Sequence, residues 1–353
     1  MDSNNLILFL ILISFSLFFY KYFLLVLYKH NPKILIDDQL DKTQAFHITS
    51  TSTAGGLCLF FSLLIVYFYF LLFENVSYFE YLSFCTIFFL LGFIDDIKIN
   101  FNPTVRLALM IIFLILLVKY NLFYIQATGI EILNNWIKNS EIFSLVFVCL
   151  CFLFIINGAN LVDGYNGLLG VHSLIILTNL FFVNLFSANN DLANIILFII
   201  LALIMFLIFN FPRAKIFLGD SGAYFLGAFI AISAIKTSII NPTISPFYFC
   251  ILLFYLFFEV FFSFFRKIIN EKQSPIHPDK KHLHMLLYKI LVKTNNDKVK
   301  SNYYVSIIIN SIYFILIIPA IIMMKNGMFC KYYSILFFLI YLFSYRLANE
   351  KTK

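Results

Sequence analysis

Asp220 is flanked by Gly219 and Gly222 within Phe217–Gly227, inside a chain in which 62% of residues are hydrophobic and 12% are charged. A carboxylate at membrane depth is costly and usually functional. The two glycines let backbone approach a ligand closely, and a helix starting there would turn its N-terminal amides toward an anion. That combination points to a divalent cation holding a phosphate, with Asp220 as the metal ligand. A helix N-cap is the plainer alternative for the same residue.

Three other polar clusters interrupt the apolar sequence. Asp95 and Asp96 close the run Leu90–Ile94, which puts two carboxylates at a helix C-terminus, where the dipole repels each by ~0.3–1 kcal/mol. A bound cation or a proton-transfer role explains that placement better than solvation does. Pro103 opens the next helix, and Arg106 in its first turn faces the same interface, as a site residue or as a basic anchor. Further on, Asn157, Asn160, Asp163 and Asn166 recur every three residues with Gly158, Gly164 and Gly167 between them. Such side chains are costly if left unpaired, so the spacing predicts a helix interrupted there and a cavity lined by polar groups. The last cluster runs from Pro275 to Met285 and brings His277, Lys280, Lys281, His282 and His284 together as oxyanion donors. Their i, i+2 histidines are poorly spaced for sharing a metal on one helix face. Glu259, about two helical turns before Arg266, reads as a structural partner for a polar group inside the bundle.

The elements that must position these groups are membrane helices. With a mean hydropathy of +0.92, the chain lies far from soluble composition, where roughly a quarter of residues are charged. About 20 apolar residues make one crossing. Eleven runs qualify: 5–28, 54–73, 79–94, 104–125, 142–157, 168–187, 192–210, 222–240, 247–268, 302–323 and 332–346. The expected fold is therefore all-α, a polytopic integral membrane protein of about eleven transmembrane helices, with residues 1–353 forming one membrane-embedded domain. The first run has neither a basic start nor a small-residue cleavage site and reads as a retained span.

Net charge +7 does not indicate nucleic acid, because most of the 25 Lys and Arg residues fall in segments on one side of such a bundle. The positive-inside rule makes that side, and the C-terminus, cytoplasmic. All four polar clusters then lie on the cytoplasmic side. The segment 126–141, with the single Trp136, reads as an outer interfacial connection. The glycine pair at 55–56 opens the second run and suits close helix packing. The six cysteines follow no metal or disulfide spacing and read as small hydrophobes.

In their order and spacing these motifs resemble the polyprenyl-phosphate N-acetylhexosamine-1-phosphate transferases, the family that also includes the phospho-N-acetylmuramoyl-pentapeptide transferase. Asp95-Asp96 matches the family's paired aspartates, and Asn157–Leu168 its Asn-x-x-Asn-x-x-Asp-Gly-x-(Asp/Asn)-Gly-Leu segment. Phe217–Gly222 matches Leu-Gly-Asp-Ser-Gly, and Pro278–His284 the histidine-bearing cytoplasmic loop. The resemblance implies transfer of an N-acetylamino-sugar 1-phosphate from a UDP-sugar to polyprenyl phosphate in the bacterial cytoplasmic membrane, with release of UMP. Asp220 would hold magnesium, or manganese in its place, and Asp95 or Asp96 would act on the lipid phosphate. Asp163 and His282 complete the expected catalytic set. Asn157, Asn160, Asn166, Lys215, Lys281, His284 and Arg106 are the expected substrate contacts. A homodimer is compatible with this reading; a nucleic-acid partner is not.

Two positions depart from the family pattern: Met285 where a third histidine is frequent, and Thr53 where an arginine precedes the glycine pair. Three consecutive histidines, typical of the pentapeptide-sugar enzyme, are absent, which favours a simpler amino-sugar donor. The rival reading is a secondary transporter. Transporters place polar groups near the midplane between repeated halves, whereas here they gather at the ends of spans and no halves repeat.

Overall fold

The computed structural model describes residues 3–23, 25, 35–37, 51–99, 102–272, 274 and 279–352. Most of the polar segment 29–50 and His277 lie outside the described residues. Fourteen helices run through the described chain: α1 (Ser3–Phe18), α2 (Gly55–Tyr69), α3 (Phe79–Asp96), α4 (Pro103–Asn121), α5 (Glu131–Asn139), α6 (Glu141–Val162), α7 (Leu168–Phe186), α8 (Asn190–Asn210), α9 (Gly219–Ile240), α10 (Pro246–Leu252), α11 (Phe254–Phe265), α12 (Leu283–Asn295), α13 (Lys298–Ile322) and α14 (Gly327–Thr352). π-Helical turns extend α1 to Phe23, α2 to Glu74 and α11 to Glu271. Two two-residue strands, β1 (Ile36–Asp37) and β2 (Thr51–Ser52), pair antiparallel.

Among the described residues nine helices are long and apolar enough to cross a membrane, and ten if the bent pair α10–α11 is counted as one span. α3 is the remaining run of the sequence reading. It is 18 residues long and carries Glu80, Asp95 and Asp96. The run expected at 247–268 as one span is instead broken at Leu253, where α10 and α11 meet at 76°. A break in a span frees backbone carbonyls that need new partners. The Tyr313 hydroxyl supplies one by donating to Leu252 O at 2.5 Å.

α9 is the helix around which the bundle is built. Every residue from Ser221 to Ile235 is buried, packed on α3, α6, α2 and α7. A helix apolar on all sides is stable only with neighbours all round it. At its far end the Lys236–Glu80 ion pair and a 3.2 Å bond between Tyr81 Oη and Ser233 Oγ tie α9 to α3. α3 and α9 are antiparallel, so the C-terminus of α3 meets the N-terminus of α9. α6 continues through Asn157 and Asn160 to Val162, five residues beyond the expected end. Gly158 is therefore no helix breaker. It is the point where α11 crosses α6, and a Cβ there would collide with Leu256 O.

α12 lies across α13 and α14 with Met285, Leu286 and Tyr288 buried. The expected interfacial connection contains α5, which leaves Trp136 54% exposed.

Candidate active site

The short link from Ile216 to Gly219 sets the first part of the site. Phe217 N donates to Ser52 O at 2.7 Å, while Gly55 N and Gly56 N, at the start of α2, donate to Phe217 O and Leu218 O at 3.0 and 2.8 Å. Orphan amides of one helix thus hold the approach to the next. Gly219 then takes φ +77°, and a Cβ at this position would lie 2.7 Å from both Asp96 Oδ2 and Thr53 O. Glycine alone fits a left-handed conformation in that contact.

Asp96 is buried at 9% exposure, and its two carboxylate oxygens accept from Asp220 N at 2.9 Å and Ser221 N at 3.0 Å. The cap of α9 is therefore supplied in trans by α3, and Asp220 is not an N-cap. The expectation that Asp96 acts on a lipid phosphate meets a carboxylate already engaged on both oxygens. The same geometry corrects the idea that the amides opening α9 await a phosphate, since Asp96 occupies two of them. Asp95, one residue earlier, points elsewhere and forms an ion pair with Arg106 of α4. The Arg106 guanidinium also lies 5.6 Å from the centre of the buried Tyr224 ring.

Asp220 itself faces α6, where Asn160 Nδ2 donates to its Oδ1 at 2.9 Å. Asp163 terminates α6 at φ −75°, ψ 63°. Displacement of water around its carboxyl, and then the negative charge of Asp220, push its pKa up to about 8. The structure thus brings Asp95, Asp96, Arg106, Asn160, Asp163 and Asp220 to one end of the bundle.

The other two asparagines of the triplet pattern turn away. Asn157 Nδ2 donates to Leu153 O of its own helix at 2.8 Å and approaches Met110 Sδ, because its place in unbroken helix directs it toward α4. Asn166 braces the link between α6 and α7: its N donates to Asn302 Oδ1 at 2.9 Å and its Nδ2 to Pro212 O at 3.0 Å. The helix interruption expected here is present, but only over residues 163–167.

The histidines form a second cluster beside that link. His282 and His284 are 3% and 0% exposed, whereas the sequence suggests donors carried on a cytoplasmic loop. Their burial follows from α12, whose apolar face packs on the bundle and carries its N-terminus over α11. His282 Nδ1 lies 3.1 Å from Glu259 Oε2, and its Nε2 3.4 Å from Asp279 Oδ1. His284 Nδ1 lies 3.2 Å from Tyr255 Oη, and its ring meets Tyr165 edge-on at 5.7 Å. Arg266 pairs with Glu271 and Asp279, and Lys281 with Glu271 at 2.9 Å. Burial alone would raise the Asp279 carboxyl, but His282, the Lys281 amide and Arg266 outweigh it and hold it below its usual value. Lys215 is exposed on the link into α9.

Sequence reasoning did not connect Glu259 to the histidines, nor find Tyr255, Asp279 and Tyr224. The signal for Glu259 was a carboxylate inside an apolar run. For the other three the sequence carries none. Met285, at the position where a third histidine is frequent in the family, is 1% exposed in the core, so a methionine here removes no group from the cluster's polar face.

Donor chemistry decides whether a divalent cation suits the acidic end. Asp163 and Asp220 are two carboxylates close enough for one to raise the other's pKa, which is the electrostatic deficit a cation fills. Among the described residues no three His, Cys, Asp or Glu side chains converge as a ready cage. Magnesium keeps several waters and takes one or two carboxylates together with substrate phosphates, so the residues present fit it.

Comparison with known proteins agrees with this geometry. A model described as glycosyl transferase family 4 matches residues 78–238, the stretch from the start of α3 almost to the end of α9. The phospho-N-acetylmuramoyl-pentapeptide-transferase of Dictyoglomus turgidum is 35% identical over 240 residues, covering 66% of this chain and 75% of that protein. The chain belongs to glycosyl transferase family 4. Within the family it is also similar to the undecaprenyl-phosphate alpha-N-acetylglucosaminyl 1-phosphate transferase of Thermotoga maritima, 29% identical over 238 residues, 67% of this chain and 68% of that one. A Staphylococcus carnosus phospho-N-acetylmuramoyl-pentapeptide-transferase is 33% identical over 198 residues, 52% of this chain and 61% of that one. The matched span holds the whole acidic end of the site, while the histidine cluster of α11 and α12 lies beyond the family model.

Proposed function

We propose that the chain transfers an N-acetylamino-sugar 1-phosphate from a UDP-sugar to polyprenyl phosphate and releases UMP. The observation that carries this reading is the joint of α3, α6 and α9, where Asp95, Asp96, Asp163 and Asp220 gather at one end of an apolar bundle. An active site there would be reached by a soluble nucleotide sugar from the aqueous side and by a lipid phosphate from the bilayer. The names of the relatives, two for a pentapeptide-sugar donor and one for N-acetylglucosamine, support the reaction class. The His282–Leu283–His284 pattern, in place of three consecutive histidines, supports a donor without a peptide.

In the proposed reaction an oxygen of the lipid phosphate attacks the phosphorus nearest the sugar. The phosphoanhydride bond breaks, and UMP leaves with the bridging oxygen and its electron pair. Asp163 and Asp220 would hold magnesium, or manganese in its place. The bound ion would neutralise charge on the diphosphate oxygens. Arg106, fixed by Asp95 and stacked on Tyr224, offers a planar donor fork to the lipid phosphate. Asp96 keeps the first turn of α9, and with it Asp220, in position. Asn160 orients the Asp220 carboxylate. Eleven crossings with the site and the C-terminus on the cytoplasmic side are part of the proposal, supported by the distribution of Lys and Arg.

The test is which bond breaks. Purified protein is incubated with polyprenyl phosphate, magnesium and a panel of UDP-N-acetylamino sugars labelled at the β-phosphate. The expected products are unlabelled UMP and a labelled lipid diphosphate. Label appearing in UDP refutes the mechanism, and solute uptake into proteoliposomes without a lipid product favours a transporter.

A further inference from the structure

Glu259 is a carboxylate at 1% exposure inside the bundle, and a buried charge needs partners. Its hydrogen-bond partner is His282, whose Nδ1 lies 3.1 Å from Oε2. Oε1 has no hydrogen bond among the described residues and lies 3.9 Å from His284 Nδ1. Residues two apart do not share a helix face. Here His282 is the extended residue (φ −76°, ψ 151°) that precedes α12 and His284 is in its first turn. Both rings therefore turn to one side, nearly parallel at 6° and 5.5 Å apart, over a single carboxylate.

An ionised carboxylate only accepts hydrogen bonds, so His282 Nδ1 carries hydrogen, and the negative charge 3.9 Å from His284 Nδ1 favours the tautomer with hydrogen there as well. Tyr255, one helical turn before Glu259, has its oxygen 3.2 Å from His284 Nδ1 and in that tautomer accepts from it. Burial lowers the His284 pKa to about 4, which leaves the ring neutral and the second nitrogen with a lone pair. That nitrogen, Nε2, is buried and has no partner among the described residues. A buried polar atom left unpaired costs ~1–3 kcal/mol. The ring lies edge-on to Tyr165, two residues from Asp163, so the orphan acceptor belongs to a side chain at the border of the acidic end.

We propose that Glu259 is the positioning residue of the His282–His284 pair, holding His282 by a hydrogen bond and biasing His284 by its charge to the Nδ1–H tautomer, so that His284 Nε2 accepts a hydrogen bond from an N–H or O–H of the UDP-sugar. The choice of ligand rests on the function proposed above, while the positioning geometry does not.

The first test needs no substitution in the cluster's anchor. Protein carrying 15N-labelled histidine, six residues in all, is examined by nitrogen NMR, with His284→Gln assigning the signal. His284 Nε2 should resonate as an unprotonated nitrogen, and an Nε2–H tautomer overturns the proposal outright. In Glu259→Gln, which keeps the shape and loses the charge, the His284 signal should become a tautomer mixture. Affinity for UDP-N-acetylglucosamine without lipid should fall about tenfold, the worth of one hydrogen bond. Glu259→Asp, which keeps the charge, should restore part of both. A histidine spectrum unchanged in Glu259→Gln, with affinity within about twofold of the parent, refutes the positioning role. Failure of the parent to bind any of the panel of UDP-N-acetylamino sugars refutes the transferase reading and the acceptor role with it, and the spectrum still decides the positioning.

Discussion

Replacing Asp96 by asparagine separates a helix cap from a catalytic base, because the two roles predict different losses. Both oxygens of the buried Asp96 accept from backbone amides, at 2.9 and 3.0 Å. Asparagine keeps one acceptor and turns an NH2 toward the other amide. Hydrogen bonds to a charged partner are worth ~1.5–3 kcal/mol each, and an unsatisfied buried donor costs ~1–3 kcal/mol. The loss of charge at the N-terminus of α9 adds ~0.3–1 kcal/mol. Relief of the repulsion between Asp96 and Asp220 works in the opposite direction. A net loss of ~2–4 kcal/mol in the local stability of the first turn of α9 results.

Hydrogen exchange resolved to the peptide containing Asp220 and Ser221 measures this directly, since ~2 kcal/mol corresponds to about 30-fold in exchange protection. Asp96→Asn should exchange at least that much faster in this peptide, with peptides from α13 and α14 unchanged. Asp96→Ala, which frees both amides, should be worse. Asp95→Asn should leave the peptide as it is, because Asp95 reaches Arg106 and not the backbone of α9. Parent-like protection in Asp96→Asn, combined with a complete loss of turnover, would falsify the capping argument and return Asp96 to the catalytic reading.

Three other outcomes are expected. Asp220→Asn should fold in the membrane and abolish magnesium-dependent turnover, because the amide keeps the Asn160 contact and loses the charge; near-normal turnover would remove Asp220 from the metal site. His284 has a folded pKa lowered to about 4 from 6.5, so between those values the unfolded chain binds a proton that the folded one does not. Stability should therefore fall as pH drops from about 6.5 to about 4, by on the order of 3 kcal/mol in total, and level off below. His284→Gln should flatten that slope in a detergent unfolding series, and an unchanged slope would assign it to other groups. Reporter tags after Ile99 and Asn295 should both report cytoplasm, and tags at Asn135 and Lys325 the outside; tags at 99 and 295 on opposite faces would break the single-site model.

Composition was enough to identify an all-helical membrane protein, because a span needs little more than length and apolarity. It could not show where the spans break. The run 247–268 is uniformly apolar, and its 76° bend depends on Tyr313 and Gly158, which lie on other helices and far away in sequence. The acidic residues of the site were legible as intrusions in apolar sequence. Their partners were not, since Asn157 and Asn160 look alike in a triplet repeat and only helix phase sends one to Asp220 and the other to Met110. The histidines were legible as donors, but their burial was not. It depends on α12 lying on the bundle with Glu259 beneath its first turn.

The placement of Asp95 and Asp96 looks unfavourable only while α3 is considered alone. Adjacent residues on a helix point about 100° apart, so a pair at one helix end can serve two neighbours. Here one carboxylate goes to the guanidinium at the start of α4 and the other to the first amides of α9. The negative end of the α3 dipole thereby meets the positive end of α9, and Asp96 bridges the two ends. The repulsion that made the acids conspicuous in sequence is offset by a helix whose N-terminus lies more than a hundred residues away. The same joint fixes Asp220 one residue into that helix, on the face turned toward α6. The feature that seemed to call for a cation at Asp96 is answered by protein, and the unanswered negative charge lies between Asp163 and Asp220.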